Sequence, residues 1–151
     1  LYRRKGPVPE EEYYIPLSET DVKREGSDLT IVTYGRMLPM VMEVAEELSN
    51  SQGIEIEVVD PRTIRPLDAE PIIKSVAKTG KAMVVHEAVQ FGGFGGELVA
   101  QIADSEAFYY LDAPIKRIGG ADAPIPYNPN LEKHAVPTPE KVKAAVQELL
   151  D

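Results

Sequence analysis

From Asp28 onward the chain alternates short β-rich runs with helical stripes, and this alternation restricts its fold more than any other feature. Leu29-Thr30-Ile31-Val32-Thr33-Tyr34-Gly35 has the composition of a buried strand that ends at a glycine. Met37, Val41, Val44, Ala45 and Leu48 then fall at helical spacing, with Glu43, Glu46 and Glu47 on the other side. Gly53 releases the chain into a second strand over residues 54–59, and residues 60–67 read as a loop with two prolines. Asp68 is placed to N-cap a helix running through Ala77, with Ile72, Ile73 and Val76 as its buried stripe and Gly80 as its stop. Residues 81–86 predict a third strand. Gly92-Gly93-Phe94-Gly95-Gly96 opens a helix carrying Leu98, Val99, Ile102 and Ala103. Residues 115–118 predict a fourth strand, and residues 123–137 read as a Pro- and Asn-rich surface stretch. Thr138-Pro139-Glu140 starts a last helix with the face Val142, Ala145, Val146 and Leu149. Strands joined by helices of this length require right-handed crossovers, so the expected fold is a three-layer α/β domain with a largely parallel sheet covered on both faces.

A length of 151 residues allows one such domain, assigned to residues 28–151. Residues 1–27 read as an extended arm: Pro7, Pro9 and Pro16 and the run Glu10-Glu11-Glu12 show no sustained periodicity. Tyr13, Tyr14, Ile15 and Leu17 are apolar enough to lie on a surface of this domain or of a neighbour, and residues 22–25 suit a short edge strand. Leu1 is not an initiator Met and no apolar signal core follows the charges of Arg3-Arg4-Lys5, so the expectation is a piece of a longer protein.

Composition then narrows the chemistry. Sixteen Lys and Arg against twenty-five Asp and Glu give a net charge of -9, the wrong sign for a nucleic-acid or anionic-membrane binder and a better match to a basic protein partner. The absence of Cys removes disulfides, thiolate metal sites and Cys nucleophiles together and favours an intracellular setting. No run approaches the roughly 20 apolar residues of a membrane span.

Ligands of parallel sheets bind beyond the carboxyl ends of the strands, which directs attention to residues 34–36, 60–67, 86–96 and 119–122. Gly92 to Gly96 would either let backbone N–H groups approach an anion or permit a tight turn with close helix-sheet packing. The dinucleotide fingerprint fails because Leu98 stands where a third glycine is needed, and Glu97 at the helix mouth repels phosphate. His86-Glu87 at the end of the third strand would serve as a catalytic pair, or as a hydrogen-bonded pair that fixes the strand end or an interface. Arg62 and Arg65, beside Pro61 and Pro66, suit a carboxylate or phosphate clamp, an internal ion pair with the bracketing Asp60 and Asp68, or a subunit contact. No complete catalytic constellation emerges, and no metal site is expected in the chain.

Six blocks carry a family resemblance: Tyr13-Tyr14-Ile15-Pro16-Leu17, the stretch from Val22 to Arg36, Asp60-Pro61-Arg62-Thr63-Ile64-Arg65-Pro66-Leu67-Asp68, His86-Glu87-Ala88 with Gly93-Phe94-Gly95-Gly96-Glu97, Leu111-Asp112-Ala113-Pro114-Ile115-Lys116-Arg117, and Asp122-Ala123-Pro124-Ile125-Pro126-Tyr127 with Leu131-Glu132. In this order they resemble the C-terminal domain of the beta subunit of thiamine-diphosphate-dependent 2-oxoacid dehydrogenase decarboxylases, of pyruvate or branched-chain type. Pro61 and Ala123 depart from the family's usual Leu and Val. The Pro-Ile-Pro block argues against the corresponding domain of a transketolase or deoxyxylulose-phosphate synthase.

The resemblance implies a five-stranded, mostly parallel sheet of transketolase C-terminal type with one antiparallel edge strand. It implies an enzyme complex that decarboxylates a 2-oxoacid and acylates lipoamide, with thiamine diphosphate and magnesium held outside this chain, which lacks the Gly-Asp-Gly start of the cofactor motif. The chain alone is therefore expected to be inactive, with neither catalytic nor cofactor-binding residues. Its implied partners are the alpha subunit, a second beta subunit, and the peripheral-subunit-binding domain of the lipoyl acyltransferase. Arg62, Arg65, His86 and Glu87 are the subunit-interface candidates. Glu148 and Asp151, whose charges oppose the dipole of the last helix and invite a cationic partner, are the docking candidates. The implied location is the cytoplasm, or the mitochondrial matrix in a eukaryote. An independent small-anion or nucleotide binder using Gly92 to Gly96 and Arg62 is the competing expectation.

Overall fold

In the computed structural model, which describes residues 5–151, the apolar stripes and strand centres expected from the periodicity meet on a single sheet.

 Twelve of the sixteen stripe positions named above are buried, as are all of residues 29–33 and 83–85; Ile73, Val99 and Ala145 lie at the margins and Ala103 is exposed.

In chain order the elements are β1 (Asp21–Arg24), β2 (Leu29–Thr33), α1 (Met37–Gln52), β3 (Ile56–Asp60), α2 (Glu70–Thr79), β4 (Ala82–Val89), α3 (Gly95–Ala103), a 3-10 turn (Glu106–Tyr110), β5 (Lys116–Gly120), α4 (Pro129–Ala135) and α5 (Pro139–Leu150). The strands form one sheet in the order β1-β3-β2-β4-β5, in which β1 runs antiparallel to β3 and every other pair is parallel. The edge strand expected at residues 22–25 is therefore present, in the direction implied by the family resemblance. Its ladder carries an irregularity between Val22 and Arg24.

Strand alternation sends the two sets of side chains to opposite helical layers. Leu29, Ile31, Ile56, Val58, Met83 and Val85 pack against α1 and α5. Val32, Val59, Ala82 and Val84 pack against α2 and α3 through Ile72, Val76, Leu98 and Ile102. The sheet is thus buried on both faces, which is why its central strands read as continuous apolar runs.

Local chemistry sets the helix ends. Gly53 and Gly80 close α1 and α2 in the left-handed conformation, and the Thr138 hydroxyl accepts from the Lys141 N–H at the start of α5. Asp68 does accept from the Glu70 N–H at 3.2 Å, but α2 begins at Glu70, one residue later than an N-cap at Asp68 requires, so Ala69 holds the N-cap position. Two elements correct the sequence reading. Residues 123–137 contain α4, started by Asn128, whose side chain accepts from Asn130 N–H ahead of Pro129 at the first helical position. Residues 106–110 form the 3-10 turn that Ser105 caps.

Candidate functional site

The helix after β2 lies on one face of the sheet and the helix after β3 on the other, so the winding reverses between β2 and β4, and the crevice at their carboxyl ends is where such sheets bind ligands. Here the chain bridges the crevice with its own ion pairs. Arg36, just beyond β2, donates from Nη1 to Glu87 Oε1 at 2.9 Å and to Glu132 Oε1 at 2.8 Å, tying the end of β4 to α4. The two carboxylates, Glu132 foremost, raise the guanidinium pKa and hold its charge more firmly still.

His86 faces the opposite way, because neighbours on a strand point to opposite sides of the sheet. Its imidazole is fully buried, and neither ring nitrogen has a hydrogen-bond partner among the described residues. The glycine loop lies directly on the ring: a Cβ at Gly95 would stand 2.2 Å from His86 Nε2, and one at Gly93 would stand 2.8 Å from Cε1 and 2.1 Å from the Val89 carbonyl oxygen. Close packing is thus the use to which these glycines are put. His86 and Glu87 form neither a catalytic pair nor a hydrogen-bonded one, since Glu87 binds Arg36 on the other face.

Burial, with the Arg117 cation adding to it, lowers the His86 pKa below the ordinary imidazole value. The unfolded chain therefore binds the proton more readily. The stability tied to neutral His86 is intact above about pH 6.5 and falls as pH drops from there toward the depressed folded value. Urea midpoints between pH 7.5 and 5 should decline more steeply for the natural chain than for His86→Gln; parallel declines would show that another group carries the acid sensitivity.

The two arginines of the loop after β3 part company. Arg62 has a left-handed backbone with φ 55, and its N–H donates to Asp60 Oδ1 at 2.9 Å. Its guanidinium donates from Nη2 to Asp21 Oδ2 at 2.5 Å, with Glu19 at 3.9 Å, so the ion pair is internal but reaches β1 and its approach in place of Asp60 and Asp68. Lys23, first, and Arg62 hold the Asp21 carboxyl below its usual value. Asp68 spends its carbonyl on the Thr20 hydroxyl at 2.6 Å. Arg65, by contrast, makes no hydrogen bond or ion pair among the described residues. It lines an open cleft of about 820 Å³ with Ile64, Leu67, Phe94, Glu97 and Gln101, and the Arg65–Pro66 peptide bond is cis.

At the far end of the molecule Glu148 is bound to Lys116, so part of the negative charge expected at the end of α5 is offset within the chain. Asp151 is exposed. The arm's Tyr13, Tyr14, Ile15 and Leu17 do not cover this domain; they are between 54% and 82% exposed. Sequence reasoning missed Arg36 and Glu132 as a unit, although both lie in segments it had marked: residues 34–36 after the first predicted strand, and the Leu131-Glu132 block. No helix among the described residues is long and apolar enough to cross a membrane, and no group of three His, Asp or Glu among them is placed to hold a metal ion.

A mixed five-stranded sheet in the order β1-β3-β2-β4-β5, with helices on both faces, makes this a three-layer α/β domain of doubly wound type. The family model described as "Transketolase, C-terminal domain" matches residues 18–142, and the chain belongs to that family. Among curated proteins it is 45% identical over 148 residues to the 2-oxoisovalerate dehydrogenase subunit beta of Bacillus subtilis (strain 168), covering 97% of this chain and 45% of that protein. It is 44% identical over 154 residues to the mitochondrial pyruvate dehydrogenase E1 component subunit beta of Saccharomyces cerevisiae, covering 99% of this chain and 42% of that protein. Among solved structures, a split gene transketolase described as an inactive beta4 tetramer superposes with a TM-score of 0.72 at 29% identity, over 95% of this chain and 46% of that one. The chain thus spans less than half the length of each of these relatives.

Proposed function

We propose that the chain is the C-terminal domain of the beta subunit of a thiamine-diphosphate-dependent 2-oxoacid dehydrogenase, of pyruvate or branched-chain type, and that it serves assembly with the alpha subunit and a second beta subunit. The observation that carries this reading is the state of the sheet's carboxyl end. The crevice is spanned by the ion pairs of Arg36 with Glu87 and Glu132, and the space under the glycine loop is filled by His86. The loops at that end meanwhile expose Ile64, Phe91, Ile125 and Tyr127, and α4 exposes Leu131. Apolar side chains presented to solvent around a crevice bridged by ion pairs suit a protein surface better than a small-molecule site.

In this reading the whole enzyme decarboxylates a 2-oxoacid and acylates lipoamide, in the cytoplasm or the mitochondrial matrix. Thiamine diphosphate with magnesium supplies the carbanion chemistry, and the present residues do not fit that group: Gly93 and Gly95 lie against an imidazole where a diphosphate would need room, with Glu97 at the mouth of the helix. The chain alone is accordingly inactive, and the competing small-anion reading has no seat in the glycine loop.

Interface contacts fall to the exposed Ile64 and to Arg65, which has no hydrogen bond or ion pair among the described residues, while Arg62 and Glu87 shape the surface through their internal ion pairs and His86 supports it from beneath. In a full beta subunit, Arg65→Ala should weaken assembly with the alpha subunit at least about tenfold, a loss of about 1.4 kcal/mol typical of an interface arginine, with the domain still folded. Unchanged assembly in analytical ultracentrifugation, with an altered substrate KM, would make Arg65 a ligand clamp instead.

The peripheral-subunit-binding domain of the acyltransferase docks at the end of α5 in the same proposal. Since Lys116 engages Glu148, Asp151 carries the larger share of free charge. Exposed charges are screened beyond about 8 Å at physiological ionic strength, so docking should weaken with salt and on removal of residues 148–151. Binding measured by surface plasmon resonance that ignored both changes would place the dock elsewhere.

A further inference from the structure

β5 is an edge strand: it pairs with β4 alone among the described residues, leaving its other side without a strand partner. Such an edge is a template for an added strand unless it is covered. Its two faces differ in chemistry. On the α5 side lies a cavity of about 450 Å³ lined by Lys116, Ile118, Lys141, Ala145 and Glu148. On the α3 side lies a cavity of about 400 Å³ lined by apolar groups, among them Val99, Phe108, Leu111 and Ile115. Arg117 pairs across the ladder with Val84, which faces the α3 layer, and it also lines the α5-side cavity, whereas no cation lines the apolar one. In a molecule of net charge -9, the edge carries Lys116, Arg117 and Lys141, of which Lys116 is paired with Glu148, the acid lining the basic cavity. Lys141 has no ion-pair partner among the described residues, and Arg117 donates to the Gln90 carbonyl rather than to a carboxylate.

The arm has the complementary pattern. Between Pro9 and Pro16 lie six residues, Glu10-Glu11-Glu12-Tyr13-Tyr14-Ile15, with no proline to interrupt a ladder, against the five residues of β5. In an extended strand Glu10, Glu12 and Tyr14 share one face and Glu11, Tyr13 and Ile15 the other. The first set matches the basic cavity of Lys116, Arg117 and Lys141, and Tyr13 and Ile15 of the second match the apolar cavity. Tyr13, Tyr14 and Ile15 are 59%, 82% and 54% exposed and so remain available.

We propose that residues 10–15 of one copy of this chain add as a sixth strand to the β5 edge of a second copy. The occupant is a second copy because the arm joins its own domain at β1, on the opposite edge of the sheet. From Asp21 back to Ile15 the chain reaches only about 20 Å, short of the about 24 Å of five strand spacings from β1 to a strand added beyond β5, before any detour around the helical layers. The pairing stands on the edge and the charges alone and does not depend on the proposed function.

Sedimentation equilibrium of the full chain, and of two charge-reversed forms, tests it. One form carries Glu10→Lys, Glu11→Lys and Glu12→Lys; the other carries Lys116→Glu and Lys141→Glu. The natural chain should self-associate with an affinity that falls as salt is raised, and each reversed form alone should associate at least tenfold more weakly. Mixing the two forms should restore association, because each arm then meets an edge of opposite charge. Restoration in the mixture also excludes misfolding as the cause of the losses. A natural chain that stays monomeric, reversed forms that associate as the natural chain does, or a mixture that fails to associate would each overturn the pairing.

Discussion

Gly95→Ala is expected to destabilise the domain by about 3 kcal/mol, at the upper end of the usual cost of overpacking a core. The added Cβ would stand 2.2 Å from Nε2 and 2.3 Å from Cδ2 of His86. The ring has nowhere to go, because it is fully buried between the sheet and the start of α3. Against a total stability of roughly 5–15 kcal/mol, this is a large loss from one methyl group. The neighbouring Gly96→Ala is the internal control. Its Cβ would meet only Arg117 Nη1, at 3.4 Å, so it should be neutral or slightly stabilising through helix propensity. The cause can be isolated by adding His86→Ala, which removes the colliding ring at the cost of a cavity. The double variant should be less damaged than the two single losses summed, by about 1–2 kcal/mol of coupling. Denaturant unfolding of the four proteins in the cycle gives the result, and strict additivity would mean that the ring is not what the new methyl meets.

The same contact shows where sequence reading reaches its limit. α1 and α5 were legible because an apolar stripe at helical spacing has one cheap destination, and their buried residues Met37, Val41, Val44, Ala45, Leu48, Val142, Val146 and Leu149 all follow it. α4 was not, although Asn128-Pro129 repeats the cap-and-proline signal that located α5 at Thr138-Pro139. The difference is that α4 buries only Ala135, so no stripe accompanies its start signal. The direction of β1 was likewise invisible to composition, since four residues at an edge read the same in either sense; only the family resemblance supplied it.

At the site, the alternatives left open were decided by orientation. His86-Glu87 looks like a pair in sequence and is separated by the sheet, because successive strand residues face opposite layers. The partners that matter come from far along the chain: Arg36 meets residues 51 and 96 positions away. Spacing rules cannot register such contacts, which depend on the strand order. Arg62 shows the same effect more mildly. Its guanidinium makes an internal ion pair, but with Asp21 and not with the nearby Asp60 or Asp68, because β1 docks beside β3.

Glu57 offers the second large effect. It is a lone acid inside a run otherwise read as a buried strand, and it is 1% exposed. One oxygen accepts both the Lys78 ammonium and the Gly26 N–H, the latter at 3.2 Å, and Lys78 also binds Glu25 at 2.7 Å. Lys78 thereby staples the end of β1 to α2 across β3. Removing one partner of a buried pair is far more damaging than the pair is stabilising, because the remaining charge stays desolvated. Lys78→Met should therefore cost about 2–3 kcal/mol, below the full range for such losses since the ammonium itself is half exposed. Glu57→Gln added to that variant should recover part of the loss, as a neutral amide can keep the Gly26 hydrogen bond without a buried charge. The pH dependence has a definite sign. Glu25 and then Glu57 raise the Lys78 pKa, so the stabilisation is complete below the ordinary lysine value of about 10.5 and is lost as pH rises through the folded value. Urea unfolding from pH 8 to 11 should accordingly show an alkaline decline in the natural chain that is flatter in Lys78→Met. If Glu57→Gln alone left the alkaline decline and the stability unchanged, the buried carboxylate would not be what Lys78 compensates.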